Sequence, residues 1–510
     1  MPRALHLRIG RAVGLGLAAL AICGGVRAEP VTLTSRSDGF AVTGALHAFD
    51  GRFYQIDAQH GRLTLAADQV ICDGAGCPAP NQTTGFAVTA AHGPGTVLLP
   101  ALLQAYARGR DLAVSRVAVD SNHFEVQLGG PDAAQWFTVR VRLAVPAEGF
   151  ADLAVGEADL VLSDRLVSED ERAIARDAGI GDLTAPAQEG VLAFDALIAA
   201  TSPRRAPRAV TPEAFRTLWF SRNPDWAALG HPAAPLRLHA RAHGEDLAKL
   251  DDSAASPGAP VTYHAQGADL AAVLRDQPSG LGLLPLSRRG PAQALPIAGA
   301  CGLAHAATAT GVALGRYPWI FPLALYTPDR RAPTDLEAFV TFLNTAEAQP
   351  VLRRAGYVLP SARPVETSLP EQVFAAMAAA DEAELRVLQD LARGLNGATQ
   401  LGLSLRPSAT ARDLRALSAA AFDALAGLET DAQLVLVAYA ETAAQAQADA
   451  QQVLIDLTAA RADRPPLKTE IVAVGPSLPI ACAGEEWSAE MTRRIDIWQR
   501  PVTDSLRIEN

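Results

Sequence analysis

The sequence predicts a multidomain α/β protein led by a small β module. Its 510 residues exceed one ordinary domain, and 49% are hydrophobic against 19% charged, the balance of packed cores. From residue 85 to about 360, and again from 399 to 505, apolar runs of strand length alternate with amphipathic helical stretches. Residues 31 to 80 instead alternate apolar and polar positions in short runs broken by turn signals.

Residues 1–28 carry Arg3, Arg8 and Arg11, then the apolar run "AVGLGLAALAIC", then "VRA" before Glu29. This is the layout of a cleaved secretory signal, so the chain is expected to be exported. Ile22 precedes Cys23 where a lipoprotein leader needs a small residue, which argues against lipid attachment. No later apolar run approaches the ~20 residues of a membrane-spanning helix.

The β module, 29–82, reads "VTLTS", "FAVTGAL", "RFYQID", "RLTLAA" and "QVICD", separated by "SDG", "FDGR" and "QHG". Within it, "CDGAGC" places Cys72 and Cys77 in one glycine-containing turn, which favours a disulfide in an oxidising compartment. No second CxxC or nearby histidine pair completes a zinc set, so no metal is expected. Cys301 and Cys482 either pair across a long gap or stay reduced and buried.

Residues 85–362 contain amphipathic stretches such as "GTVLLPALLQAYARG" and "DLEAFVTFLNTAEAQPVLRRAG", and their length suits two lobes. "PSARPVETSLP" followed by the Ala/Glu-rich "EQVFAAMAAADEAELRVLQDLARGL" makes 363–398 a linker and helical spacer. Residues 399–505 read strand, helix, strand, helix, strand, strand, a compact α/β sandwich. The formal net charge is −11, and it becomes more negative once a leader with four arginines and no acids is removed. Nucleic acid and anionic lipid are therefore not expected partners. There is no GxSxG, HExxH or P-loop, and no histidine pair at i, i+4 on a helix, so neither an enzyme nor a cofactor is expected.

"LLPALLQAYARG" near 98, "FADLAVGEADLVLSDR" at 150–165, "VLAFDALIAATSP" at 191–203, "FRTLWFSRNPDWAALG" at 215–230 and "RYPWIFPLALYTP" at 316–328 carry a resemblance. In this order they resemble the periplasmic phosphate-binding proteins of ABC transporters. The resemblance implies a Venus-flytrap domain: two α/β lobes closing on a small solute, an oxyanion, held by backbone N–H groups, hydroxyls and one or two charges. It also implies a periplasmic location and an ABC permease as partner.

Three stretches match the family's ligand-binding segments. In "TAAHGPGT" at 89–96, Gly93, Gly95 and Thr96 keep the character of the turn before the first helix, while the usual hydroxyl position falls near Ala91 and His92. In "LSDR", Ser163 and Asp164 match the family's serine and the aspartate that accepts a proton from a monoprotonated oxyanion. In "HARAHGEDLAKLDD", Arg241 and Gly244 survive, but Glu245, Asp246 and Leu247 replace the hydroxyl-bearing positions. A carboxylate ~4 Å from a phosphate costs several kcal/mol at an effective dielectric near 20, against ~1–3 kcal/mol gained from a charge-assisted hydrogen bond. The ordinary phosphate site is thus expected to be degenerate, with Arg241 close enough to pair with Glu245.

"LVLVAYAETA" at 434–443 and "MTRRIDIW" at 491–498 resemble the OmpA-like C-terminal domain, which implies peptidoglycan binding and association with the cell wall or outer membrane. On that resemblance Glu441, Arg493 and Arg494 are the binding candidates, while Asp449 stands where the family has an arginine. Two functions are therefore expected in competition. One is a periplasmic solute-binding protein tethered near the cell wall, with a degenerate phosphate site. The other is a non-transporting envelope scaffold in which both sites have decayed, and an Arg241–Glu245 ion pair plugging the cleft would favour it.

Overall fold

The computed structural model describes residues 30–501 except 37, 50–52, 68, 75, 78–83, 131–135, 206–207, 243–245, 247–248, 250–255 and 486–487. The expected leader lies outside the described residues, as do Gly244 and Glu245. The chain divides into two compact units, one ending at Gln82 and one beginning at Thr83.

The first unit is a five-stranded antiparallel sheet: β1 (Pro30–Ser35), β2 (Ala41–Phe49), β3 (Phe53–Ala58), β4 (Gly61–Ala66) and β5 (Val70–Asp73), in the order β4-β3-β2-β1-β5. Alternation places Val31, Leu33, Ile56 and Val70 in one small core. Gly44 is required on β2, because a Cβ there would lie 2.6 Å from the carbonyl oxygen of Asp57. Cys72 and Cys77 form the expected disulfide.

The second unit contains a long mixed sheet: β6 (Thr84–Ala91), β7 (Ala113–Ala118), β8 (His123–Gly129), β9 (Trp136–Ala144), β10 (Leu160–Ser163), β11 (Glu189–Thr201), β12 (Arg237–Arg241), β13 (Val261–His264), β14 (Gly280–Pro285), β15 (Gln293–Ala294) and, after a two-stranded ribbon of β16 (Ile297–Ala298) and β17 (Ala304–His305), β18 (Ile320–Tyr326). Its order is β13-β12-β14-β11-β18-β10-β6-β9-β8-β7, with β15 added on β11. The strand β11 divides this sheet into two lobes. Its residues Glu189 to Ala196 pair with β18, and Leu197 to Thr201 pair with β14.

Each lobe has its own core, around Phe86, Leu99, Val139 and Phe339 in the first and Trp219, Leu238, Leu270 and Leu283 in the second. In the first lobe β6 runs parallel to β9 and β10, and in the second β12 runs parallel to β13 and β14. Parallel strands deliver their C-terminal ends, and the helix starts that follow, to one side of the sheet.

The last domain is a five-stranded sheet of β19 (Ser361–Pro364), β20 (Thr399–Leu405), β21 (Gln433–Tyr439), β22 (Thr469–Gly475) and β23 (Arg494–Arg500), in the order β19-β20-β23-β21-β22. Helices Arg412–Ala426 and Ala443–Ala460 cover one face, where Leu403, Leu436 and Ile497 meet Ala421, Leu425 and Leu457. Helices Leu369–Met377 and Glu382–Gly394 cover the other, against Val435, Val437 and Trp498. Residues 363–398, read from sequence as a linker and spacer, are thus packed structure. The physical reason is the run "QLVLVAY", apolar on both faces of β21, which needs a layer on each side.

Polar groups fasten this domain to both lobes. Cys301 of the second lobe is disulfide-bonded to Cys482, so the pairing alternative left open by the sequence is the one found. Arg406, 3% exposed, donates to the carbonyls of Leu314 at 2.6 Å and Gly315 at 3.0 Å. Asp496, fully buried, meets Arg316 at 3.0 Å, Arg494 at 3.2 Å and the hydroxyl of Ser404 at 2.6 Å. Burial raises the Asp496 carboxyl, but Arg316, Arg494 and Arg406 outweigh it and hold it at about 2. Burial pushes Arg406 down to about 9. On the first lobe, Arg412 donates to the Val167 carbonyl and pairs with Glu189 at 3.4 Å. Replacing Cys301 and Cys482 together by serine is expected to lower unfolding free energy by about 2–4 kcal/mol in urea titrations. Among the described residues no helix is long and apolar enough to cross a membrane.

Candidate anion pocket between the lobes

The C-terminal ends of β6, β10 and β12 bring three of the sequence-predicted stretches to one cleft. β6 runs straight into the helix His92–Arg108, whose N-cap Ala91 offers no side-chain bond and whose first turn has no acid. Thr96 spends its hydroxyl on the His92 carbonyl at 2.6 Å, so it braces the helix. Gly95 permits close packing, since a Cβ there would meet Leu143 at 2.6 Å and Ala90 at 2.7 Å. Gly93 faces Arg241, with Nη1 3.0 Å from where its Cβ would be.

At the end of β10, Ser163 is fully buried and donates to the Arg165 carbonyl at 2.6 Å. Asp164 accepts from Lys249 Nζ at 2.9 Å and lies 3.8 Å from Arg241 Nη2. Burial raises this carboxyl, but Lys249 and then Arg241 outweigh it and hold it below the ordinary carboxylate value. At the end of β12, Arg241 is 7% exposed and grips Asp246, 1% exposed, through Nε at 2.7 Å and Nη2 at 2.5 Å. Burial disfavours the charged guanidinium, yet Asp246 and Asp164 more than offset it and raise its pKa. Among the described residues, Arg241 thus pairs closely with Asp246 and more distantly with Asp164; the expected partner Glu245 lies outside the described residues.

Sequence reasoning missed Arg288, Gly267 and Lys249. A cavity of about 80 Å³ is bordered by Gly93, Val97, Arg241, Gly267 and Arg288. Helix Gly267–Asp276 starts there with no side-chain cap and with Asp269 as the acid of its first turn. Arg288 reaches across to the Gly93 carbonyl at 3.4 Å and has no carboxylate partner among the described residues. Two helix starts and two guanidiniums therefore converge on one space that no carboxylate lines among the described residues, and its volume exceeds the roughly 30 Å³ share of one water. The chemistry it supports is oxyanion capture. The one signal available in sequence was "LSRRG" directly after the apolar run "GLGLLP".

Asp195 stands on β11 where the strand passes between lobes, and its Oδ1 accepts from the backbone N–H of Ala196 at 2.8 Å and of Ser287 at 3.0 Å. Burial lifts its carboxyl to about 6. A raised folded-state value stabilises the fold below the ordinary value of 3.8 and loses that contribution as pH climbs through 6. Asp195→Asn is expected to flatten the stability profile of the protein between pH 4 and 6 by at most about 1.4 kcal/mol per pH unit, read from urea midpoints. The His239–His264 pair on β12 and β13, 3.1 Å apart, holds no extra charge, since burial and then His264 push His239 down to about 4. Among the described residues no group of three or more His, Cys, Asp or Glu could hold a metal ion.

In the last domain, Glu441 and Arg493 line a cavity of about 920 Å³ whose wall includes the Cys301–Cys482 disulfide. Arg493 is held by both oxygens of Asp449 at 2.7 Å. Arg494 does not reach that cavity: it is 1% exposed, lies 3.6 Å from the Tyr439 ring centre and pairs with Asp496.

No protein family profile matches the chain, and no curated protein matches it. Among solved structures, it is similar over 54% of its length to all of an ABC-type phosphate transport receptor from Vibrio cholerae, at 14% identity and a TM-score of 0.41. It is similar over 54% of its length to 98% of PstS from Borrelia burgdorferi, at 13% identity and a TM-score of 0.36.

Proposed function

We propose that the two-lobed part of this protein is a periplasmic solute-binding protein that takes a small oxyanion in the pocket bordered by Gly93, Arg241, Gly267 and Arg288. The observation that carries this reading is the convergence of two helix starts lacking side-chain caps and two guanidiniums on one cavity that, among the described residues, no carboxylate lines. Arg241 is balanced by Asp246 and Lys249 by Asp164, which leaves Arg288 as the charge without a carboxylate partner among the described residues. A singly charged oxyanion therefore suits the pocket better than a dianion, and the phosphate site suggested by sequence resemblance is remodelled. A thermal-shift panel of phosphate, sulfate and nitrate at equal ionic strength tests this. At pH 6, where phosphate is mostly the monoanion, nitrate and phosphate are expected to stabilise more than sulfate, each adding about 2.7 kcal/mol over the anion-free protein at a hundredfold excess over its Kd. Arg288→Ala is expected to abolish the shift, and an unchanged shift in that variant contradicts the reading.

In the same proposal the last domain holds the protein near the cell wall, within reach of an ABC permease partner. A cavity lined by Glu441 and Arg493 suits a peptidoglycan stem peptide, which carries both amine and carboxylate groups. Cosedimentation with purified peptidoglycan, lost on Glu441→Ala, is the expected result. The second reading, a non-transporting envelope scaffold, draws support from the bidentate contact of Asp246 on Arg241 and from the fastening of the last domain to both lobes. Absence of any anion-induced shift in the wild type would favour it.

A further inference from the structure

We propose a second ligand site, for a small organic ammonium ion, in the cavity where both lobes meet the last domain, with Asp413 as its anionic contact and Trp319 as its aromatic wall. This cavity, of about 520 Å³, is separate from the anion pocket and shares no lining residue with it. Its walls come from the first lobe at Arg165, the second at Lys249, the segment between lobes at Trp319 and Phe321, and the last domain at Asp413.

Charge accounting within the cavity decides the ligand's sign. Arg165 is held by both oxygens of Glu171, at 2.8 and 2.7 Å. Lys249 is held by Asp164 at 2.9 Å and rests 4.0 Å from the Phe321 ring centre. Arg412, next to Asp413 in sequence, is committed to the Val167 carbonyl and Glu189. Every cation around the cavity thus has an acceptor of its own.

Asp413 does not. It sits in the first turn of helix Arg412–Ala426, and no hydrogen bond or ion pair to it occurs among the described residues. Burial raises its carboxyl to about 6, which marks a charge that Lys249 and Arg412 only partly offset. A half-buried carboxylate of this kind is stabilised by a ligand that brings a cation. The remaining lining, Leu166, Leu197, Pro318 and Ile320 with the Trp319 ring, accommodates an aliphatic body; the Phe321 ring already faces Lys249, so Trp319 is the ring offered to the ammonium head.

Calorimetric titration of the full-length protein with butylammonium chloride tests the site, with sodium chloride and 1-butanol as controls. Saturable binding of butylammonium is expected, with neither control binding. Asp413→Asn keeps the shape and removes the charge, and is expected to weaken binding about tenfold or more, while Trp319→Leu weakens it less. Arg288→Ala is expected to leave this titration unchanged, so failure of the anion pocket and failure of the ammonium site are separable. Binding of equal strength in wild type and Asp413→Asn, or no binding in a wild type whose native fold is verified by circular dichroism, overturns the proposal.

Discussion

Asp496→Ala is expected to lower the stability of the second unit by about 3–5 kcal/mol, because it leaves buried guanidiniums without their carboxylate. Arg316, Arg406 and Arg494 all depend on Asp496, and Arg494 and Arg406 are only 1% and 3% exposed. The loss should appear as a lower urea midpoint and as early release of the last domain from the second lobe. The sign with pH is fixed as well. Asp496 is held at about 2, below its ordinary 3.8, so its contribution is present above that ordinary value and fades as pH falls through 2. A measured loss under 1 kcal/mol at pH 7 would mean that the arginines find other acceptors.

Arg241→Ala is expected to cost a similar ~3–5 kcal/mol, because Asp246 loses its two bonds to the guanidinium and Asp164 keeps Lys249 as its one close cation among the described residues. It should also abolish the anion response. The contrasting variant replaces the pair together, Arg241→Met with Asp246→Leu, and is expected to be near neutral in stability while still failing to bind anions. A double-mutant cycle on urea midpoints reads the coupling, and additive single effects would show that the ion pair does not hold the cleft.

How much of this was legible in the sequence follows from the range over which each feature is determined. Alternating and continuous apolar runs located the strands and helices, since side-chain periodicity acts within a few residues. The same run in β21 already required two covering layers, and reading Leu369–Met377 and Glu382–Gly394 as a spacer overlooked that demand. The replacement of hydroxyl positions by acid after Arg241 was visible, but whether an acid turns inward depends on the local backbone, which buries Asp246. Arg288 and Gly267 join the site only because β14 and β13 flank β12, a neighbour relation that no local pattern states. The Cys301–Cys482 bond depends in the same way on docking of the last domain, and Arg494 looked available because its burial against Tyr439 is a tertiary fact.

The most direct test of the oxyanion pocket is a crystal structure of the mature protein grown with phosphate or nitrate. The account predicts the anion within hydrogen-bond distance of Arg288 and of the backbone N–H groups at the starts of the helices that begin at His92 and Gly267, with Asp246 still on Arg241. Anion density elsewhere, or a cleft unchanged at saturating anion, would contradict it.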